Sequence, residues 1–104
     1  MSDRLAAARA YVDKKPTDRF GLYALAMELR KARDWASCFS TFEALLLHHP
    51  NYGAGFYHFG MAKKESGDAD AARRVWEAGI AACAKSDPHA VAEITEALEA
   101  LGED

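Results

Sequence analysis

The chain has 104 residues, half of them apolar and 28% charged, with 13 Lys and Arg against 16 Asp and Glu. That length fits one domain, and that apolar share supports a buried core and excludes a disordered tail. A net charge of −3 argues against nucleic acid as the main partner, and no run of about 20 apolar residues offers a membrane span.

Ser2 or Asp3 can cap a first helix, in which Leu5, Ala8, Tyr11 and Val12 recur at helical spacing until Lys14, Lys15 and Pro16 end it. Thr17 or Asp18 then caps a second helix over about 18–32, with Leu22, Leu25, Ala26 and Leu29 as its apolar stripe. Arg33-Asp34 makes a tight connection to a third helix, 35–48, whose broad apolar face holds Trp35, Cys38, Phe39, Phe42, Leu45 and Leu46. His49-Pro50-Asn51 breaks the chain, and Asn51 can cap a fourth helix over 52–65 with Phe56, Phe59 and Gly60 on its stripe. Ser66-Gly67-Asp68 pairs a C-cap glycine with an N-cap. A fifth helix over 69–85 follows, carrying Ala72, Val75, Trp76, Gly79, Ile80 and Cys83. Ser86-Asp87-Pro88 supplies a cap and a first-turn proline for a sixth, 88–101, with Val91, Ile94, Leu98 and Leu101 inward and its glutamates outward.

The second and third helices repeat in the fourth and fifth at an offset of 34, which pairs Leu25 with Phe59, Ala26 with Gly60, Cys38 with Ala72 and Phe42 with Trp76. In this period the chain resembles the tetratricopeptide repeat, with Leu22, Leu25, Ala26, Leu29, Cys38, Phe42 and Pro50 in one copy and Phe56, Phe59, Gly60, Lys63, Ala72 and Trp76 in the next. The second copy lacks the proline at Ala84 and stops at Pro88, so its second helix is expected to be about one turn longer. Lys63 replaces a usual aromatic, with its stem expected along apolar surface and its charge in water. The resemblance implies an all-α, right-handed helical-repeat solenoid of antiparallel helix pairs, six helices in all, in a single domain. Residues 1–15 form an N-terminal capping helix, 19–52 and 53–86 the two repeats, and 88–101 a C-terminal capping helix.

The first helix of each repeat bears a second stripe, about 110° around from the first. It holds Phe20, Tyr23, Met27, Arg30 and Lys31 in one copy and Tyr57, His58, Met61 and Lys64 in the other. The resemblance implies that this face is a concave groove for a peptide or helix of another protein. Aromatic and thioether groups there suit an apolar or aromatic ligand, and the bases suit acidic groups on it. The carboxylate-clamp subtype, which needs lysines and asparagines, is disfavoured by Tyr23, Met27 and His58. The competing reading is that terminal helices bury the tyrosines and methionines.

Nothing points to catalysis, a cofactor or a metal. His48 and His49 are adjacent and diverge on a helix, where they can instead satisfy terminal carbonyls; His58 and His89 lack ligands at metal spacing. Cys38 and Cys83 have neither disulfide nor zinc spacing. Gly53-Ala54-Gly55 is a weak helix start, and Glu93, Glu96 and Glu99 form an exposed acidic face. The expectation is a cytoplasmic adaptor or scaffold that is not an enzyme and binds neither nucleic acid nor membrane. The alternative is a homo-oligomerisation module, because residues 1–33 hold eight bases against four acids and residues 34–104 five against twelve. Apolar surface around Trp35, Leu45, Leu46 and Leu47 could serve the same end.

Overall fold

Residues 3–102 are described by the structure, a computed structural model, and they form six α-helices with no strand among them. These are α1 (Asp3–Lys14), α2 (Arg19–Lys31), α3 (Trp35–His48), α4 (Gly53–Glu65), α5 (Ala69–Cys83) and α6 (Pro88–Leu101). They fall into two compact units, Met1–His49 and Pro50–Asp104. In the first, α2 packs against α1 and α3; in the second, α4, α5 and α6 all pack on one another. The 34-residue period carries through to the elements: α2 and α4 start and end 34 residues apart, and so do the starts of α3 and α5.

Caps set most of the boundaries. The carboxylates of Asp18, Asp34, Asp68 and Asp87 each accept a hydrogen bond from the backbone N–H three residues on, as an N-cap aspartate should. Pro88 opens α6, where a missing N–H costs nothing. The cap expected at Ser2 lies outside the described residues. Asn51 does not cap α4. The N-cap position belongs to Tyr52, whose side chain makes no capping bond, while its carbonyl accepts from the Gly55 and Phe56 N–H groups. Packing fixes this helix start: a Cβ on Gly53 would run into Ala90 Cβ at the start of α6.

The two helical hairpins turn in the same way. After α2, Asp34 N–H donates to the Leu29 carbonyl and Arg33 N–H to that of Arg30; after α4, Asp68 N–H donates to Lys63 and Gly67 N–H to Lys64. Both are Schellman turns, which need one residue in the left-handed region. Gly67 supplies it at φ 95°, while its counterpart 34 residues earlier is Arg33, held at φ 60°. No neighbour approaches a Cβ built on Gly67, so Gly67→Ala tests backbone strain alone. A loss of about 1–2 kcal/mol in chemical denaturation is expected, and no loss would mean that the turn relaxes.

Each hairpin buries the same register of side chains. Ala26, Cys38 and Phe42 are fully buried in the first unit, as are Ala72 and Trp76 in the second, with Leu25 and Phe59 close to it. Of the broad face expected on α3, only Cys38, Phe42 and Leu45 are buried. Trp35, Phe39 and Leu46 are half-buried, with the Trp35 ring stacked on Phe39 at 6.0 Å. Lys63 is half-buried too, its ammonium 5.5 Å above the Phe59 ring, so the stem lies on apolar surface as expected. The extra residues before Pro88 do not lengthen α5 by a turn. The helix ends at Cys83, whose carbonyl accepts from both Ser86 and Asp87 N–H, and residues 84–86 form a turn.

α1 buries no side chain completely; Leu5, Ala8 and Val12 are half-buried, while Tyr11 is exposed at the helix edge. Tyr11 nonetheless ties the first unit together. Its ring meets Phe20 edge-on at 6.2 Å, and its hydroxyl donates to the Asp18 carboxylate at 3.2 Å, beside the Gly21 N–H at 2.9 Å. The His49 ring does not serve the carbonyls of its own helix: Nε2 lies 2.8 Å from the Thr17 carbonyl. With Nε2 protonated it donates there, linking the end of α3 to the start of α2.

The Asp18 carboxyl is held below its usual value of 3.8 by the Gly21 N–H; partial desolvation opposes this, and the Tyr11 hydroxyl, Lys15 and His49 add to the lowering. A carboxyl more acidic in the folded chain contributes stability that is present above its unfolded pKa and lost as pH falls through the folded one. The melting temperature should therefore drop as the pH falls below about 4, and Asp18→Asn should flatten that drop. An acid limb identical in the two proteins would remove Asp18 from the explanation.

Candidate protein-binding faces

The side chains expected to meet a partner lie on α2 in the first unit and α4 in the second. On α2, Phe20 is 71% exposed, Tyr23, Met27 and Arg30 are half-buried, and Lys31 is exposed. The Arg30 guanidinium lies 3.9 Å from the Met27 sulfur, a weak contact that sets the two side chains alongside one another. Phe20 belongs to a different surface. It lines a cleft of about 300 Å³ between α1 and α2, together with Arg4, Ala7, Ala8, Tyr11, Gly21, Ala24 and Glu28.

On α4, Tyr57, Met61 and Lys64 do come together. They line an open cleft of about 320 Å³ whose other side is Glu93, Glu96, Ala97 and Ala100 of α6, with Trp76 of α5 at its base. Trp76 is fully buried and its indole N–H donates to the Tyr57 carbonyl at 3.1 Å, so it offers the cleft an apolar edge and no donor. His58 turns away from the lining and meets the Tyr57 ring edge-on at 5.0 Å. The terminal helix thus flanks Tyr57 and Met61 and leaves them half-buried.

The sequence left open that a terminal helix covers the tyrosines and methionines, but it placed the glutamates of α6 outward. Glu93 and Glu96 turn toward this cleft, while Glu99 does not line it. The available signal was the interleaving of Ala97 and Ala100 with the glutamates, because small residues let a neighbouring helix come close. Lys64 is exposed and within salt-bridge range of neither glutamate, and the ion-pair contact of Glu93 is to His89 at 4.0 Å on the exposed surface. The cleft therefore presents one ammonium and two carboxylates beside Tyr57, Met61, Ala97 and Ala100.

No charged or polar side chain is buried among the described residues, and no group of His, Cys, Asp or Glu among them could hold a metal ion. The two cysteines are free and buried. The Cys38 thiol donates to the Ala26 carbonyl and the Cys83 thiol to that of Asn51, each at 3.6 Å. Burial pushes the Cys83 thiol up, and the charge of Asp87 adds to it, which keeps it protonated and unreactive. No described helix is long and apolar enough to cross a membrane.

No protein-family model matches the chain, and no curated protein matches it either. Its fold is similar to that of protein BPP2914 from Bordetella parapertussis, known from a solution structure. The TM-score is 0.79 at 22% sequence identity, over 97% of this chain and 89% of that one. At that identity the likeness establishes a shared all-helical fold and carries nothing about activity.

Proposed function

We propose that the protein is a small tetratricopeptide-like adaptor that binds a segment of another protein on the second stripe of its repeat helices. It is a binding module and not an enzyme. The observation that carries this reading is the cleft lined by Tyr57, Met61 and Lys64, where a rigid aromatic, an adaptable thioether and a charge stand together on one open surface. Membership of the repeat family is supported by the 34-residue spacing of the helix starts and by the small and aromatic pairs that each hairpin buries. On the first unit, the corresponding α2 residues Tyr23, Met27, Arg30 and Lys31 carry the same chemistry. Two buried, free thiols fit a reducing compartment and support a cytoplasmic setting.

The test is a selection of peptides displayed at random against the folded chain. Sequences with apolar or aromatic anchors should be enriched, and Tyr23→Ala, Met27→Ala, Tyr57→Ala and Met61→Ala combined should lose them with helicity nearly unchanged. Half-buried side chains at an interface core commonly contribute 1–2 kcal/mol or more each, so the combined loss should reach at least about a hundredfold. Retention of the same peptides by the quadruple variant would reject the assignment.

A further inference from the structure

We infer that the cleft between α1 and α2 seats helix α6 of a second copy of this chain, in the place that α4 holds against α5 within the second unit. The period explains what belongs in the cleft. α1 ends 34 residues before α3, which gives it the place of a second hairpin helix in the period. Its cleft residues Arg4, Ala8 and Tyr11 stand two 34-residue periods before Ala72, Trp76 and Gly79 of α5. Trp76 and Gly79 are the α5 residues that Gly60 and Phe56 of α4 pack upon. The α1–α2 pair thus corresponds to the α5–α6 pair, and its cleft corresponds to the seat that α4 fills in the second unit.

α6 is the matching half. It follows α5 in the place of a first hairpin helix. Ala90, Ile94 and Leu101 are buried, while Val91, Thr95 and Leu98 are half-buried and Ala92 and Glu99 are exposed, which leaves a partly apolar face for another helix. Charge favours the same pairing: Arg4 of α1 lines the cleft, and α6 brings Glu99 on this face with no Lys or Arg anywhere on the helix, while Glu93 and Glu96 face the cleft on α4. Glu28 lies on the far wall of the cleft, where it opposes the acidic helix and sets its register toward the α1 side. Such a contact is head-to-tail, so copies add in series or close into a ring.

Light scattering behind a sizing column, on the full chain over a wide concentration range, tests this. Mass should rise past that of a dimer, and fall back in about 1 M salt, where the screening length is near 3 Å. Ala7→Arg blocks the cleft and Ala92→Arg blocks α6; both sites are exposed helix positions where Arg is well tolerated, which an unchanged helical spectrum confirms. Each variant alone should weaken association at least about tenfold and run as a monomer of 11.4 kDa. Mixed, they should form a one-to-one pair, because one copy keeps its cleft and the other its α6. A wild-type chain that stays monomeric, a single variant that still assembles, or a mixture that stays monomeric would each overturn the inference.

Discussion

Trp76→Ala is expected to destabilise the chain by about 3–5 kcal/mol, a large share of the total stability of a domain this size. The indole is fully buried between α4 and α5, faces Gly60, and places its N–H on the Tyr57 carbonyl at 3.1 Å. Removing it leaves a cavity and strips that carbonyl of a donor. A cleft opens directly above, so part of the void can fill with water, which places the cost toward the lower end of the range. Urea denaturation should show the midpoint collapsing, with Phe42→Ala in the other unit behaving alike, since Phe42 holds the same register and is equally buried. A midpoint within experimental error of the wild type would mean that the repeat register described above is wrong.

The second large effect is one of sign. An alanine normally stabilises a helix interior over glycine by about 1 kcal/mol. Gly60→Ala should do the opposite and cost about 1–3 kcal/mol, because a Cβ there would overlap the Trp76 indole, a rigid ring held by its own hydrogen bond. The equivalent position in the first unit is Ala26, fully buried where Phe42 takes the place of the larger Trp76, so the restriction comes from tryptophan and not from the repeat as such. Gly60→Ala combined with Trp76→Phe should recover part of the loss, and additivity of the two changes would show that they do not touch. Gly79 is similarly confined, with Phe56 Cβ 2.7 Å from its would-be Cβ.

These positions show how far the sequence could be read. Four aspartate caps, the Gly67 turn and the 34-residue offset are local or periodic signals, and they placed all six helices to within two residues at both ends. Asn51 misled because capping propensity was outweighed by the packing of Gly53 against Ala90, a contact 37 residues apart in sequence. Arg33 in a left-handed turn conformation is hidden for a related reason: only its alignment with Gly67 reveals what that position requires. The end of α5 was overextended because four additional residues can lengthen a helix or form a turn, and the two hydrogen bonds onto the Cys83 carbonyl decide for the turn. Of the expected contact residues, Tyr57, Met61 and Lys64 share one cleft, whereas Phe20 and His58 do not line it, since azimuth around a helix says nothing about which neighbour covers it.

The chain has only three methionines, Met1, Met27 and Met61, so methyl labelling of methionine gives three resonances, two of them on the proposed contact stripes. The most direct measurement is to titrate a selected peptide into methyl-labelled protein and follow those signals. Progressive, saturable shifts of the Met61 and Met27 methyls, abolished for Met61 by Tyr57→Ala, are the expected result. Saturable binding that leaves both methyls unmoved would contradict the assignment of these stripes as the partner-binding surface.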